Sequence, residues 1–487
     1  MTTDSHGPID AGGVRPVVAR WIVTADLELK TAAHLGGSGY GPVDMVVIRD
    51  SLDRSPLLPG TSLAGALRGH LSDVLSGYYS EEHADIANLF GAPRISDEGG
   101  QSPLIVFDSL GEFPTGIPIE IRDGVAIDPK TGTAGSHLKY DIEVLPAGTV
   151  FPIRLELLID CSLKESRLLN LFATALEGLS RGGISLGARR SRGFGAVEAI
   201  NWRALRFDLT TREGWLDWLT SDALKPHDDA TVAPAKDPWS ACQAAYANIT
   251  REIVHDLRKR VIVEAALDFQ GGLLIRSPSE TSDSPDAVHL KSGKKTILSG
   301  TSLTGVLRQR AARITRLVRS DKSDIHHWIE HIFGSNLDVN KSSDRNLHAS
   351  RLRISESVIN NGTSMRPARI GIDRFTQGVV SGALFEEEPY YCGSATVRLE
   401  LRNPKDGETG LLLLLLKDLL SGDLPVGGSS SIGRGYVRGT AIVKFENGET
   451  MEIGPNLQVS SETEQAFAKL ISAFANRPPQ EKRGGTE

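Results

Sequence analysis

Cysteine is scarce in this 487-residue chain: Cys161, Cys242 and Cys392 lie far apart and are odd in number. Their spacing fits neither a disulfide framework nor a Cys/His metal site. Long apolar runs are missing as well. The longest, Leu411 to Leu416, falls far short of the roughly 20 residues a bilayer-spanning helix needs. No signal peptide is read at the start, so a cytoplasmic protein without membrane contact is expected. Positive charge is not in excess, with 54 Lys and Arg against 61 Asp and Glu, a net charge of −7. The mean charge therefore does not point to nucleic acid, although binding depends on where the positive charge sits.

What the chain does contain is a repeated stretch. Leu58 to Arg68 reads LPGTSLAGALR and Leu298 to Arg308 reads LSGTSLTGVLR, with eight of eleven positions identical at an offset of 240 residues. A fixed offset near half the length marks an internal duplication. In each copy a glycine (Gly60, Gly300) allows a tight backbone approach. The pairs Thr61-Ser62 and Thr301-Ser302 are expected to cap a helix start. Leu63, Leu67, Leu71 and Val74 then fall on one helical face, as do Leu303, Leu307, Ala311, Ile314 and Val318. A helix opening after Gly-Thr-Ser suits a phosphate, and Arg68 and Arg308 close the two motifs.

The rest of the chain replays the same order twice. Trp21, Val23, Ala25, Leu27 and Leu29 alternate as a strand, and Val261 to Phe269 do so in the second half. Each strand leads through a loop to the capped helix, then to Leu89-Phe90-Gly91 or Ile332-Phe333-Gly334. A long irregular section follows, from about 92 to 148 and from about 340 to 393, in which a protruding hairpin is expected in the first copy. Asp128 with Thr131 and Asp373 with Thr376 recur there, as do Glu143 and Glu388. Next come a strand (Phe151 to Ile159; Val397 to Leu401), a helix (Ser166 to Leu179; Leu411 to Leu420), a glycine loop and a closing strand. Each half is thus close to a ferredoxin-like unit with a large insertion. The expected organisation is a disordered start over 1–15, a first domain over 16–206, a helical linker over 207–258, a second domain over 259–448, and a C-terminal helix and tail over 449–487.

Positive charge is concentrated locally. Gly300 to Ser320 holds five arginines and no acid, and Arg308, Arg313, Arg316 and Arg319 fall opposite the leucine face. Arg189, Arg190 and Arg192 cluster in the first glycine loop (GGISLGARRSRGFG), and Arg434 lies in the second (GGSSSIGRG). Either arginine set is a solvated face or a phosphate-binding one.

Taken together, these motifs resemble the RAMP superfamily, and within it the backbone subunits of type III CRISPR effector complexes. The two capped-helix motifs look like that family's PGSSLKG helix, and His34 to Asp50 is similar to its HIGG…D…V.RD loop. Leu89-Phe90-Gly91, Ile332-Phe333-Gly334 and both glycine loops fall where the family has its own turns. The resemblance implies an α+β chain of two ferredoxin-like (RRM-like) RAMP domains in tandem, each with a thumb-like insertion and a glycine-rich loop. It implies guide RNA gripped by the domains, target RNA paired to the guide, and further effector subunits as partners, including a large polymerase-like one. It also implies an aspartate, before each capped helix, that cleaves target RNA with Mg²⁺ or Mn²⁺. Asp44 matches that aspartate directly and Asp286 by register; His34 matches a family residue expected to position RNA. The second half departs from the pattern, with Leu273-Leu274 in place of the histidine and Lys291-Ser292 in place of Arg49-Asp50.

The chemistry needs a 2′-hydroxyl attacking its own phosphate, and a hard ion can be held by one or two carboxylates plus phosphate. No paired histidines suggest a metal-free ribonuclease. Asp44 and Asp286 are also readable as turn residues that bond their own backbone. A binding-only scaffold, an end-cap subunit and a guide-processing endoribonuclease of two ferredoxin-like halves remain open readings.

Overall fold

The computed structural model describes residues 16–37, 43–92, 100–128, 131–160, 164–221, 232–278, 285–319, 323–335, 347–405 and 407–476. The expected disorder at 1–15, residues 38–42 of the first loop, residues 222–231 of the linker and the final tail lie outside these residues. So does Cys161. Among the described residues no helix is long and apolar enough to cross a membrane.

In the first half the elements are β1 (Val17–Leu29), α1 (Gly60–Ser76), α2 (Ala84–Phe90), β2 (Leu104–Val106), β3 (Glu120–Ile127), β4 (Ala134–Val144), β5 (Val150–Asp160), α3 (Glu165–Ser180) and β6 (Val197–Asp208). Strands β2, β5, β1 and β6 form one sheet in that order, with Leu27 opposite both Phe151 and Ala199. The alternating side chains of β1 and β5 point to one face, where Trp21, Leu27, Phe151 and Leu155 are fully buried beneath α1 and α3. The α1 stripe is the one the spacing requires, with Leu63, Leu67, Leu71 and Val74 buried. Each buried leucine contributes about 1.5–3 kcal/mol by leaving water. Strands β3 and β4 pair with each other as a hairpin that leaves the sheet, and Ile142 of β4 also bridges to Met45 in the first loop.

Between the halves lie α4 (Arg212–Thr220) and α5 (Pro238–Ala245). The second half adds β7 (Arg260–Phe269), β8 (Arg276–Ser277), β9 (Ala287–His289), α6 (Gly300–Val318), α7 (Ser323–Phe333), β10 (Leu352–Ile354), β11 (Ala368–Ile372), β12 (Val379–Glu388), β13 (Ser394–Arg402), α8 (Glu408–Leu420) and β14 (Val437–Lys444). Its sheet has the order β10-β13-β7-β14, with Leu267 opposite Ala395 and Gly439, and gains an edge strand, β15 (Thr450–Ile453). That strand was not legible as part of the second sheet. The last helix, α9 (Ser461–Asn476), packs on α8 so closely that a Cβ on Gly410 would lie 2.2 Å from the Leu470 carbonyl.

The α6 stripe drifts from the expected one. Leu303, Leu307, Ala311 and Thr315 are buried at steps of four, whereas Ile314 is half-buried and Val318 is 40% exposed. The arginine face changes with it. Arg319 is buried, donates to the Phe474 carbonyl (2.9 Å) and stacks over Trp328. It anchors α9 rather than joining an exposed basic stripe.

The halves meet head to tail. Arg122 on β3 is paired with Glu356, just past β10, through 2.5 and 3.1 Å hydrogen bonds. Glu120 accepts the Gly293 N–H (2.7 Å), and the Tyr78 hydroxyl donates to Glu400 on β13 (3.0 Å). Burial alone would push the Glu400 carboxyl up. Arg402, Arg260, Arg353 and Arg398 outweigh it and hold the carboxyl at about 2.

Candidate nucleic-acid interface and cleavage loops

The two capped helices begin two residues earlier than capping by Thr61 and Thr301 requires. Gly60 and Gly300 are the first helical residues, so Thr61-Ser62 and Thr301-Ser302 sit inside the first turn. Ser299 caps α6 by accepting from the Thr301 N–H (3.2 Å). Pro59 offers no cap to α1; the Asp108 carboxylate instead accepts the Gly60 N–H at 2.6 Å. An acidic side chain thus already stands at this helix start, which the positive end of the helix favours. Both glycines are needed against the protein's own backbone. A Cβ on Gly60 would lie 2.3 Å from the Val106 carbonyl, and one on Gly300 would lie 2.4 Å from that of Arg192.

Arg192 belongs to the first glycine loop, so that loop is seated on the start of the second half's helix. The loop turns through Arg189 and Gly193, both left-handed (φ 57° and 87°), around the 3-10 turn Arg190–Arg192. A Cβ on Gly193 would lie 2.3 Å from the Glu356 nitrogen. The seam gathers guanidinium groups. Arg189 stacks on Tyr140, 4.5 Å from its ring centre, and donates to the tyrosine hydroxyl. Burial, then Arg189, lowers the pKa of Arg192; burial, then Arg192, lowers that of Arg308. Arg353 on β10 is lowered to about 10 by burial, then by Arg402, with Arg190 adding to it. Sequence reading missed Arg353, because only the head-to-tail packing brings it beside the first half's loop. Mutually repelling cations held together across a seam are an arrangement that polyanion phosphates relieve.

Several named arginines also have partners within the protein. Arg68 pairs with Glu82 through two hydrogen bonds (2.7 and 2.6 Å), and Arg308 donates to the Gly334 carbonyl (2.9 Å), closing the end of α7. Arg434 is buried and paired with the buried Glu387.

The two aspartates occupy equivalent places. Asp44 accepts the Asp141 N–H on β4, and Asp286 accepts the Glu386 N–H on β12, each at 2.9 Å. Both are exposed, and both lie where the loop meets the return strand of the hairpin. In the first half Glu143 braces the loop, accepting from the Val47 N–H (3.1 Å) and from Arg49 (2.6 Å). His34 is buried, 3% exposed, and donates through Nδ1 to the Glu143 carbonyl (2.8 Å). Its ring thus braces the loop from inside. The second half also has a histidine, from the facing strand. His289 is buried, takes the Ile275 N–H on Nδ1 (3.3 Å) and donates through Nε2 to the Ile297 carbonyl (2.9 Å). Burial lowers its pKa and keeps it neutral. Offset alignment hid it, because it replaces Val47 rather than His34.

Among the described residues no group of three or more His, Cys, Asp or Glu side chains is assembled around a common point. An exposed aspartate at the return strand of each hairpin fits an ion whose remaining ligands are water and phosphate. It does not fit a structural metal.

Two antiparallel sheets joined head to tail, with arginines along the seam and an exposed aspartate beside the return strand of each hairpin, define a duplicated α+β protein suited to a polyanion. The sequence pattern of the RAMP superfamily matches residues 26–198 and 268–438, and the chain belongs to that superfamily. Similar curated proteins include CRISPR system Cms endoribonuclease Csm3 from Mycobacterium tuberculosis, 41% identical over 80 residues, covering 14% of this chain and 34% of that protein. The Csm3 endoribonuclease of Streptococcus thermophilus is 34% identical over 76 residues, with the same coverage, and that of Enterococcus italicus 28% over 81 residues. The chain thus spans about a third of the length of the first two of these relatives.

Proposed function

We propose that this protein is a tandem backbone subunit of a type III CRISPR effector, binding guide RNA and cutting guide-paired target RNA at two places, one per half. The observation that carries the reading is the twin placement of Asp44 and Asp286, each exposed and each fixed by the return-strand N–H at 2.9 Å. The relatives' naming as CRISPR endoribonucleases supports the reaction class. The strand orders β2-β5-β1-β6 and β10-β13-β7-β14 support two ferredoxin-like units. The hairpins β3–β4 and β11–β12 would be the thumbs.

In this reading Arg189, Arg190, Arg192 and Arg353 hold the guide backbone across the seam. Asp44 and Asp286 would each hold Mg²⁺ or Mn²⁺, which would supply positive charge to offset that developing on the phosphoryl oxygens. Glu143, Arg49 and His34 keep the first loop in place. The Asp141 and Glu386 N–H groups fix one oxygen of each aspartate and orient the other toward solvent and substrate. A thumb that unstacks a target nucleotide frees its 2′-hydroxyl from the A-form geometry that disfavours in-line attack.

Head-to-tail contacts also support neighbours at both ends. The first glycine loop is docked, but the equivalent Gly433 has nothing near its Cβ position, and Ser430, Ser431 and Ile432 are exposed. Asp108, which follows β2 as Glu356 follows β10, is likewise exposed. Purification from the native host tests the whole reading. A discrete small RNA and a large polymerase-like subunit should accompany the chain, and the assembly should cut complementary RNA only with Mg²⁺ or Mn²⁺. Metal-free cutting of a hairpin precursor by the isolated chain would favour guide processing instead.

A further inference from the structure

Beside Asp286 the second half contains a charge cluster that the first half lacks. Glu387, 1% exposed, is ion-paired with three guanidinium groups: Arg434 at 2.5 Å, Arg369 at 3.3 Å and Arg276 at 3.4 Å. Glu387 directly follows Glu386, whose N–H holds Asp286. Strand pairing places these groups side by side, in the order β8-β9-β12-β11, with Arg276 on β8, Glu387 on β12 and Arg369 on β11.

The first-half counterparts are all uncharged. The register that aligns Glu386 with Asp141 puts Ile142 where Glu387 stands. It also puts Gly124, opposite Tyr140, where Arg369 stands opposite Phe385. Gly193-Phe194-Gly195 matches Gly433-Arg434-Gly435, and Gly36, bridged to Val47, matches Arg276, paired with His289. In the first half Phe194 and Ile142 are simply core.

One guanidinium satisfies a buried carboxylate, and Arg434, itself buried, is that partner. The other two leave a surplus of two positive charges, on side chains that are 59% and 38% exposed. A carboxylate that holds guanidinium forks in place spares them the entropy of ordering on a ligand, and guanidinium geometry matches phosphate oxygens. We propose that Arg276 and Arg369, braced by Glu387, form a clamp for the target-strand phosphodiester next to Asp286, a grip specific to the second half. The proposal rests on the reading that Asp286 faces target RNA.

The test uses the full chain assembled with its guide, in EDTA so that no cutting occurs. The probes are complementary RNAs with a single uncharged methylphosphonate moved along the strand. In the wild type, one position facing the second half should weaken binding about tenfold, as loss of a charge-assisted hydrogen bond does. In R276Q/R369Q that position should lose its sensitivity, unmodified target should bind about tenfold more weakly, and the salt slope should become shallower by about one. A double variant that keeps the wild-type sensitivity and slope overturns the clamp and leaves the reading of Asp286 standing. A wild-type assembly that binds no complementary RNA overturns both.

Discussion

Arg122 on the hairpin of the first half and Glu356, just past β10 of the second, face each other as a buried pair, with side chains 5% and 3% exposed. Arg122 also lies over the Phe194 ring, 5.1 Å from its centre. The pair ties the hairpin of one repeat to the next, so hairpin placement and repeat packing are one structural event. Breaking it by Arg122→Ala strands a buried carboxylate and should cost about 3–5 kcal/mol. Replacing both partners, as R122M/E356L, should restore most of that stability. Denaturant unfolding of the wild type and the two variants decides it; equal loss in the single and double variants would show that shape, not charge, holds the seam.

Gly60 and Gly300 provide a second test. Because each meets protein backbone, Gly60→Ala and Gly300→Ala should destabilise the fold by at least about 1–3 kcal/mol through overpacking. Thermal unfolding of the RNA-free chain checks this. An unchanged melting temperature with lost RNA retention would return these glycines to a phosphate-contact role.

Much of this architecture was readable in advance because it rests on short-range periodicity. The alternation in β1 and the four-residue spacing of Leu63, Leu67 and Leu71 fix which faces are buried, and duplication doubled each signal. Asp286 could be matched to Asp44 because both motifs keep similar distances to the helix, and both make the same backbone bond. What escaped depends on long-range packing. Arg434 looked like a loop cation; Glu387, 47 residues away, buries it. Arg319 looked like part of a basic face until α9 covered it. Asp108 became the cap of α1 across a gap of 48 residues, which no local pattern encodes.

Acid should weaken the fold through His70. Burial, reinforced by Arg258, lowers its pKa from 6.5 to about 3, and the ring packs against Gly178 and Gly183. Between those values the unfolded chain binds a proton that the folded chain does not. Its contribution is therefore full above pH 6.5 and is lost as pH falls toward 3, at up to about 1.4 kcal/mol per pH unit. Unfolding free energies at pH 7, 6 and 5 should fall more steeply in the wild type than in His70→Gln. Parallel profiles would show that His70 does not titrate in this way.

The last prediction uses the duplication. Asp44→Asn and Asp286→Asn each keep an oxygen that can accept the Asp141 or Glu386 N–H, so loop geometry should survive while the charge that would hold a metal is removed. If each half cuts, the assembled wild type should make two cuts in a bound target, one repeat apart. Each single variant should lose one product, with at least a hundredfold slower appearance, and keep the other, because the sites lie in separate sheets and share no side-chain partner. The double variant should bind target as tightly as the wild type, or more tightly where a carboxylate no longer faces phosphate. The halves need not be equal. A single cut lost only in Asp44→Asn would make the second half a scaffold. Two cuts surviving in the double variant would remove catalysis from both aspartates.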